Sequence, residues 1–361
     1  MEMSEKLNPE SGRNGGAARA EHGNWREVVR RYQNPCLTRA SWQIVSSIGP
    51  YGLLWYLLYL TRGQAWWITG SLAVLAGLFL VRIFIIFHDC GHGSFFRSKW
   101  ANDLLGMVTG LLTFTPYHHW RWEHAVHHAG AGHLERRGRG DIWTLTVDEY
   151  NNAPGWKRLA YRFVRHPLVL IGILPFALFV VGHRIPASDA SRRDRASVHL
   201  TNLAILAMAA GLSLAFGLVP YLLIQLVIIM VGGGLGVWLF YVQHQFEDVY
   251  WEEGEKWDFA AAALEGSSYY KLPKILQWFS GNIGFHHIHH LSSRIPNYHL
   301  ERAHHAEPLF QSVKPITLTG SFQTLGYRLW DAERRKLVGF RQAREKRRGK
   351  RQDLQDQGLA S

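Results

Sequence analysis

A run of 51 residues, 196–246, contains no acidic or basic side chain other than histidine. A bilayer core about 30 Å thick is crossed by about 20 apolar helical residues, so this run is long enough for two crossings. Gly217 and Pro220 lie near its middle and indicate a turn between two helices. A soluble protein would need a very large core to bury such a run. The sequence therefore predicts a membrane hairpin, with spans over 198–217 and 221–242.

A second pair of apolar runs lies nearer the N-terminus. Residues 41–60 carry no charge and residues 64–87 carry only Arg82, so each run is long enough to span a bilayer. The runs 104–114 and 167–182 are too short for a crossing and are predicted to be interfacial or re-entrant. The predicted fold class is an all-α integral membrane protein, with four transmembrane helices in two hairpins and a cytoplasmic helical cap.

The distribution of positive charge predicts the orientation of these spans. The chain has 40 Lys and Arg against 28 Asp and Glu, and basic residues cluster before residue 41, between the hairpins and after residue 332. Because basic segments stay in the cytoplasm, both termini and the histidine-rich segments are predicted to be cytoplasmic. The predicted organisation is a polar N-terminal segment (1–40), a membrane domain (41–332) and a basic tail (333–361).

Two further features limit the class of protein. Only Cys36 and Cys90 are present, which excludes a disulfide-stapled secreted fold and favours a reducing compartment. The basic residues concentrate in the tail instead of covering the chain, so we expect no nucleic-acid partner. Three roles remain open for the tail: binding anionic lipid, attracting an acidic electron carrier, or fixing the topology alone.

Histidine is concentrated in short motifs at the predicted cytoplasmic ends of the spans. An H-x-x-x-H motif follows the second span, H-x-x-H-H occurs twice, and a single histidine ends the fourth span. In a helix, residues at i, i+3 and i+4 share one face, so their imidazoles can reach a common metal ion. The nine candidate metal ligands are His88, His92, His124, His127, His128, His244, His286, His289 and His290.

Nine imidazoles exceed the four ligands of a tetrahedral zinc site, so two metal ions are predicted. Nitrogen ligands suit Zn, Cu, Fe and Ni, and the residues alone do not choose among them. For His88 and His92 taken alone, two hydrogen-bonded interfacial histidines would be an equally good account. Four carboxylates could accept the free ring N–H of a ligand, although ordinary solvated carboxylates are an equal alternative: Asp89, Glu123, Asp141 and Glu247. Five other histidines are expected to be neighbours of the site without binding metal: His119, His287, His299, His304 and His305.

These motifs resemble the integral-membrane fatty acid desaturase family, over about residues 88–308. The segments 88–96, 137–146 and 289–298 are similar to its acyl-lipid delta-12 (omega-6) type branch. The resemblance implies two iron ions, O2 as co-substrate, and removal of two hydrogens from an acyl chain carried by a lipid or a thioester. It also implies that His244 is the family's additional ligand. No catalytic residue is expected beyond the metal ligands.

The resemblance also bears on the electron source. The family's fused cytochrome module would carry His-Pro-Gly-Gly, but the chain has Leu168 after His166-Pro167. A separate donor is therefore expected, either a ferredoxin or a small b-type cytochrome. His286 stands where front-end desaturases have Gln, which argues against that subgroup.

Three other functions remain open from the residues. A fatty acyl hydroxylase or epoxygenase would use the same scaffold and chemistry. A zinc-dependent membrane lipid hydrolase would need fewer ligands and no electron donor, and a metal transporter would place its ligands near the bilayer midplane. The aromatic residues Trp120, Trp122 and Phe285 are candidates to line an acyl channel, or else belong to the interfacial aromatic belt.

Overall fold

The computed structural model describes residues 24–356, which are mostly helical. The helices are α1 (Trp25–Arg30), α2 (Leu37–Leu60), α3 (Trp66–His92), α4 (Lys99–Leu112), α5 (Tyr117–Gly130), α6 (Val147–Asn152), α7 (Gly155–Val164), α8 (Leu174–Val180), α9 (Arg192–Phe216), α10 (Leu218–His244), α11 (Phe259–Leu264), α12 (Lys274–Phe279), α13 (His286–Leu291), α14 (Asn297–Ala306), α15 (Pro308–Gln311) and α16 (Phe340–Asp356). A π-helical turn, Val169–Ile173, leads into α8, and short 3-10 turns occur elsewhere.

Five short strands in residues 24–356 pair with one another and so connect the long loops. They are β1 (Leu145–Thr146), β2 (Tyr269–Lys271), β3 (Pro315–Thr317), β4 (Leu329–Asp331) and β5 (Lys336–Val338). β4 pairs in parallel with β1 and antiparallel with β5, while β2 pairs in parallel with β3. The predicted boundary at residue 333 falls in the turn between β4 and β5. The predicted N-terminal segment 1–40 lies largely outside the described residues.

Within residues 24–356, three helices are long and apolar enough to cross a membrane: α3, α9 and α10. They coincide with three of the four predicted spans. α3 continues beyond the predicted end at residue 87 and stops at Gly93, whose φ of 68° places it in the left-handed region that ends helices. The extension matters because it places His88 and His92 on the last turns of a continuous helix.

The remaining predicted span, 41–60, lies within α2. This helix has 24 residues, enough to cross a bilayer, but it is not among the three helices that are both long and strongly apolar. Its sequence mixes aliphatic residues with Ser, Gln, Tyr and Trp, which lowers its mean hydropathy. α2 packs along α3, with Tyr51, Leu54 and Leu58 in their shared core.

The predicted re-entrant run 167–182 is part of a bent helical unit. α7 and the helical segment 169–184 meet at 65°, and together they have the length and composition of one broken span or of a re-entrant loop. The other short run, 104–114, lies mostly in α4, where Ser98 caps the N-terminus by accepting a hydrogen bond from the Ala101 N–H. Both runs are helical, and their membrane placement stays a prediction.

The core of the bundle places the ends of α3 and α10 side by side. A Cβ at Gly77 would lie 2.7 Å from Val231 Cβ, so the two helices approach more closely than larger residues would allow. Both helices end in a histidine of the predicted set, His92 and His244. α5 and α13 lie over these ends and complete the histidine-rich region.

Candidate metal centre

The structure brings all nine predicted histidines together from four helices. His88 and His92 come from the end of α3, and His244 is the last residue of α10. α5 contributes three of the others and α13 the last three. The residues concerned are separated by up to about two hundred positions in the sequence, yet their rings are in mutual contact, with centroids commonly 4.2–5 Å apart.

The histidines form two adjacent groups. In the first group, one nitrogen from each ring lies within 4.8 Å of the others, and its members are His88, His92, His124, His128 and His289. The second group, by the same distance, comprises His127, His244 and His290. His286 joins the second group, because its Nε2 lies 2.9 Å from His244 Nε2. The groups touch where the rings of His128 and His290 stack, with centroids 4.2 Å apart.

Each H-x-x-H-H motif divides between the two groups. His124 and His128 belong to the first group, whereas His127 belongs to the second. Successive residues of an α-helix point about 100° apart, so His127 and His128 diverge on either side of His124. The motif was predicted to place three imidazoles on one stripe; the structure shows that the stripe spans both groups.

The nitrogen positions fit metal ions. His128 Nε2 lies 3.1 Å from the Nε2 atoms of both His124 and His289. One ring nitrogen carries either one proton or one lone pair, so hydrogen bonding cannot satisfy both contacts. Metal–nitrogen bonds of about 2.0–2.1 Å place adjacent ligands about 3 Å apart, which matches these separations.

Burial gives a second test of the fit. The Nε2 atoms of His92, His127 and His290 are buried and have no hydrogen-bond partner among residues 24–356. A buried polar atom without a partner costs about 1–3 kcal/mol, a cost that a bound cation would remove. Burial, followed by the neighbouring imidazoles, also holds the pKa of His124 and of His128 well below the usual range. These rings are therefore neutral, the form that binds metals.

Asp89 holds the first motif in place. His88 Nδ1 lies 3.2 Å from Asp89 Oδ1, so the ring N–H donates to the carboxylate and Nε2 is left for a metal. The other carboxylate oxygen, Oδ2, accepts hydrogen bonds from the backbone N–H and the side-chain amide of Asn297, at 2.6 and 2.9 Å. The first histidine motif is thereby tied to the start of α14, just beyond the third.

Asp141 has the same role for the second motif. Its Oδ1 lies 2.5 Å from His127 Nδ1, and its Oδ2 accepts a hydrogen bond from the Gly138 N–H. Gly140 makes the close approach possible: its φ is +69°, and a Cβ there would lie 3.1 Å from His127 Cβ. His244 Nδ1 lies 3.4 Å from the backbone oxygen of Gly266, so a carbonyl orients this ring.

The other two predicted carboxylates do not contact the nine histidines. Glu123 pairs with His119, at 3.5 Å, and not with a histidine of either group. Glu247 bonds to Lys336 and Tyr327, and these hydrogen bonds hold the pKa of its carboxyl below the usual range. Glu247 therefore fixes the β4–β5 hairpin and does not orient His244.

The five histidines predicted to lie beside the site take other partners. His119 Nε2 accepts the Ala187 N–H, and His287 Nε2 lies 3.1 Å from the Phe310 carbonyl oxygen. None of the five belongs to either metal-competent group among the described residues: His119, His287, His299, His304 and His305. The five therefore lie apart from the two groups, and the division between metal ligands and their neighbours stays a prediction.

Sequence reasoning missed Arg165. This side chain is only 2% exposed, and its guanidinium donates to Gln245 Oε1 at 2.7 Å and to the Tyr327 carbonyl at 3.0 Å. Gln245 follows His244 directly, so Arg165 connects the end of α10 to the start of the β4–β5 hairpin. Nothing in the local sequence distinguishes Arg165 from the exposed basic residues around it.

An elongated cavity of about 410 Å³ leads from the histidines into the helical bundle. His88 and His124 of the first group and His286 of the second group line one end. Beyond them the walls are mostly aliphatic and aromatic side chains from α3, α8 and α10. Along α10 the lining runs from Gln243 back to Ile229, which corresponds to about 21 Å at 1.5 Å per residue.

One of the three aromatic residues predicted to line a channel does so. Trp120 lines the cavity and stacks on the His124 ring, with centroids 4.3 Å apart. Phe285 instead stacks on Tyr269 in a core shared with α11, α13 and α14, and Trp122 lies against Arg139. Their positions relative to the cavity depend on packing between distant segments, which local sequence does not encode.

Comparison with known proteins agrees with this site. The fatty acid desaturase family model matches residues 64–314, which include all nine histidines. A Bacillus subtilis protein named fatty acid desaturase is 48% identical over 314 residues, covering 87% of this chain and 89% of the relative. The sn-1 oleoyl-lipid 12-desaturase of Synechocystis sp. is 31% identical over 72% of this chain and 71% of its own length. An sn-1 acyl-lipid omega-3 desaturase (ferredoxin) from the same genus is 28% identical, over 74% and 72%.

The family match covers more than half of the chain, and the relatives align with most of its length. The matched region contains the two histidine groups and the helices that form the cavity. These findings confirm the resemblance noted from the sequence. The chain belongs to the fatty acid desaturase family and is an oxidoreductase of fatty acyl chains.

Proposed function

We propose that this desaturase binds two iron ions through the nine histidines and uses O2 to introduce a double bond into an acyl chain of a membrane lipid. One observation carries the proposal: histidines of both groups line the same end of the cavity. Bound iron would supply, with O2, an oxidant strong enough for an unactivated methylene. The balanced reaction converts CH2–CH2, O2, two electrons and two protons into CH=CH and two waters.

The protein's own contribution is position and the exclusion of water. The apolar walls formed by Leu80, Phe84, Phe179 and Ile229 favour a methylene chain over water. Such a chain, extended along the cavity, would place two adjacent carbons beside His88, His124 and His286. Holding the reacting carbons in one geometry lowers the barrier, because orientation is fixed before the reaction begins.

The polarity of the cavity favours one direction for the acyl chain. Polar side chains, Glu123, Asp141 and Gln243, lie at the histidine end, and burial raises the pKa of the Glu123 carboxyl. The far end, near Leu80 and Ile229, is apolar. We therefore infer that the head group stays at the histidine end, near the membrane surface, while the methyl end enters the bundle.

We infer a delta-12 (omega-6) type of activity on lipid-linked acyl chains. The support is the similarity to the sn-1 oleoyl-lipid 12-desaturases of two cyanobacteria, at 31% and 28% identity. The name of the 48% identical relative states no position. The donor is proposed to be a separate small redox protein, a ferredoxin or a b-type cytochrome, in line with relatives whose names include ferredoxin.

The proposed topology has four crossings, with the termini and the histidine motifs on the cytoplasmic side. It is supported by three strongly apolar helices, by the length of α2, and by basic residues that precede α2 and fill the segments between the hairpins. All nine histidines lie in the last turns of α3 and α10 or in α5 and α13. The proposed topology puts these segments on the side from which a soluble electron donor would approach.

Expression in a host without polyunsaturated lipids tests the activity. Mass spectrometry of the fatty acids should show a new double bond at the delta-12 position of oleoyl chains. A double bond elsewhere would refute the proposed position only. Hydroxy or epoxy products would favour the alternative oxygenase on the same scaffold.

Metal analysis of the purified protein provides a second, independent test. About two irons per chain are expected from the two groups of histidines. Stoichiometric zinc in an active preparation would rule out the redox mechanism and favour a lipid hydrolase. Supplying oleate as a glycerolipid or as a thioester, with the same electron donor, would identify the linkage.

A further inference from the structure

Three of the four glycines in the middle of α10 are required by close packing of helices. A Cβ at Gly232 would lie 3.0 Å from Leu80 Cδ2, and one at Gly233 would lie 3.1 Å from Phe179 Cδ2. At Gly234 a Cβ would lie 2.8 Å from a backbone carbonyl oxygen of the π-helical turn. Larger residues at these positions would push α3 or α8 away from α10.

Gly236 is different, because nothing lies within 4 Å of a Cβ placed there. The residue lines the cavity, as do Gly232, Gly233, Leu239 and Phe240, its neighbours at i−4, i−3, i+3 and i+4. These positions share one helix face. A side chain at Gly236 would therefore enter the cavity instead of meeting another helix.

The depth of Gly236 in the cavity can be estimated from the helices. It lies eight residues before His244 on α10, about 12 Å at 1.5 Å per residue. Val81, which lines the same cavity, lies seven residues before His88 on α3, about 10 Å away along the axis. This level is well beyond the histidines, on the side proposed to hold the methyl end.

We propose that Gly236 is a specificity-determining residue that keeps the deep end of the cavity open for long acyl chains. The inference rests on the proposed role of the cavity as the acyl site. Without a side chain at this level, the methyl end can extend along α10 toward Ile229. A branched side chain there would shorten the space between the reacting carbons and the end of the cavity. The conversion of long acyl chains would then fall more than the conversion of short ones.

The test compares full-length Gly236→Ala and Gly236→Leu with Gly211→Leu. Gly211 is also in an apolar helix, α9, and also has nothing within 4 Å of a Cβ, but it does not line the cavity. Conversion of myristoleoyl, palmitoleoyl and oleoyl lipids, which share the delta-9 double bond and differ in length, is measured by mass spectrometry in the same membranes, with the metal content determined for each variant.

Gly236→Leu should lower the ratio of oleoyl to myristoleoyl conversion by about tenfold or more, since one methylene in an apolar pocket changes discrimination by that order. Gly236→Ala should lower the ratio less, and Gly211→Leu should leave it unchanged. An unchanged ratio in Gly236→Leu, or equal loss for every chain length, would overturn the proposal.

Two outcomes separate this inference from the proposed function. If the unsubstituted protein forms no desaturated product, the proposed function fails and the ratio has no meaning. If it forms product and both Gly236 variants keep the normal chain-length profile, only the role of Gly236 fails. Should Gly236→Leu not accumulate in the membrane, the Gly236→Ala ratio decides, because a methyl group meets open space there.

Discussion

Asp89 Oδ2 accepts hydrogen bonds from both the backbone N–H and the side-chain amide of Asn297, 208 residues later in the chain. Both residues are 1% exposed. The same carboxylate receives the ring N–H of His88, so one buried side chain connects the first motif to the segment that follows the third. This connection fixes α13 and α14 relative to the end of α3.

Replacing Asp89 should weaken metal binding more than it weakens the fold. Asp89→Asn keeps the volume but turns an amide N–H group toward the Asn297 donors or toward His88. Groups that orient ligands in this way affect metal affinity by about 10–100-fold. Iron content after dialysis against a graded chelator measures the effect. Asp148→Asn is the matched control, because Asp148 is an exposed carboxylate that pairs with Lys346, away from the histidines.

Replacing any one of the nine histidines should have the same effect on activity and metal content. Replacing one of the five neighbouring histidines should not have that effect. His127→Ala should abolish product and reduce the metal content, because His127 belongs to the second group and is oriented by Asp141. His287→Ala should retain about two irons per chain but lower the melting temperature, since it removes a buried ring bonded to the Phe310 carbonyl.

The cost of His287→Ala is expected to be about 1–3 kcal/mol, the range for leaving a buried polar group unsatisfied. Measuring metal content and thermal unfolding of the purified variants separates predicted metal ligands from neighbouring histidines. Full activity in His127→Ala would contradict the assignment of the second motif. Loss of metal in His287→Ala, with the fold intact, would contradict the division between ligands and neighbours.

α7 should lie in the membrane interface. Trp156, Leu159 and Phe163 are 72%, 70% and 60% exposed and recur at i, i+3 and i+7, so they form one apolar face. Basic residues such as Lys157 and Arg158 accompany it, the pattern of an interfacial amphipathic helix. Spin labels at Trp156→Cys and Leu159→Cys should be accessible to oxygen in lipid, whereas a label at Lys157→Cys should be accessible to an aqueous nickel chelate.

The two native cysteines need not obscure that measurement, because Cys90 is buried and Cys36 can be replaced. Equal aqueous accessibility at all three labelled sites would exclude an interfacial α7. The sequence predicts only a basic flank in this region, since it has too few apolar residues for a span.

The basic C-terminal helix should accelerate reduction by an acidic electron donor. α16 is anchored by Ala343, which is fully buried, and by Lys346, which pairs with Asp148 and Glu333. Arg347, Arg348 and Lys350 are exposed instead. Replacing these three residues by Gln should lower turnover with a ferredoxin, and most strongly at low salt. Salt screens the attraction between charges, whose range is about 8 Å at physiological ionic strength and longer below it.

Turnover with a small chemical reductant should be unchanged by the same substitutions. Loss of turnover with both reductants would favour a role in binding anionic lipid, and no change with either would leave only a role in topology. Replacing the three basic residues is preferable to deleting α16, because Phe340, the first residue of α16, packs on Tyr150 of α6.

Long uncharged runs made three helices of membrane-spanning length and hydropathy predictable, since apolar side chains over about 20 residues have few other stable environments. The bounds were less predictable: α3 continues through His88 to His92 because packing against α4 and α5 buries its last turns. The same tertiary burial explains why Asp89 and Asp141 orient histidines while Glu123 and Glu247 take other partners. Asp89, Glu123 and Glu247 each lie within three residues of a predicted ligand, whereas Asp141 lies 14 residues after His127. Sequence distance therefore does not distinguish the two pairs of carboxylates, and only packing does.

The sequence alone determined which histidines share a helix face, and so which ones are predicted to bind metal, because the 3.6-residue period of a helix places i and i+4 side by side. Accordingly, His88 with His92, His124 with His128, and His286 with His290 stay together in one group each. Tertiary structure decided how the pairs combine. His127 and His289 point about 100° away from His128 and His290, and each joins the opposite group because helices from distant parts of the chain meet there.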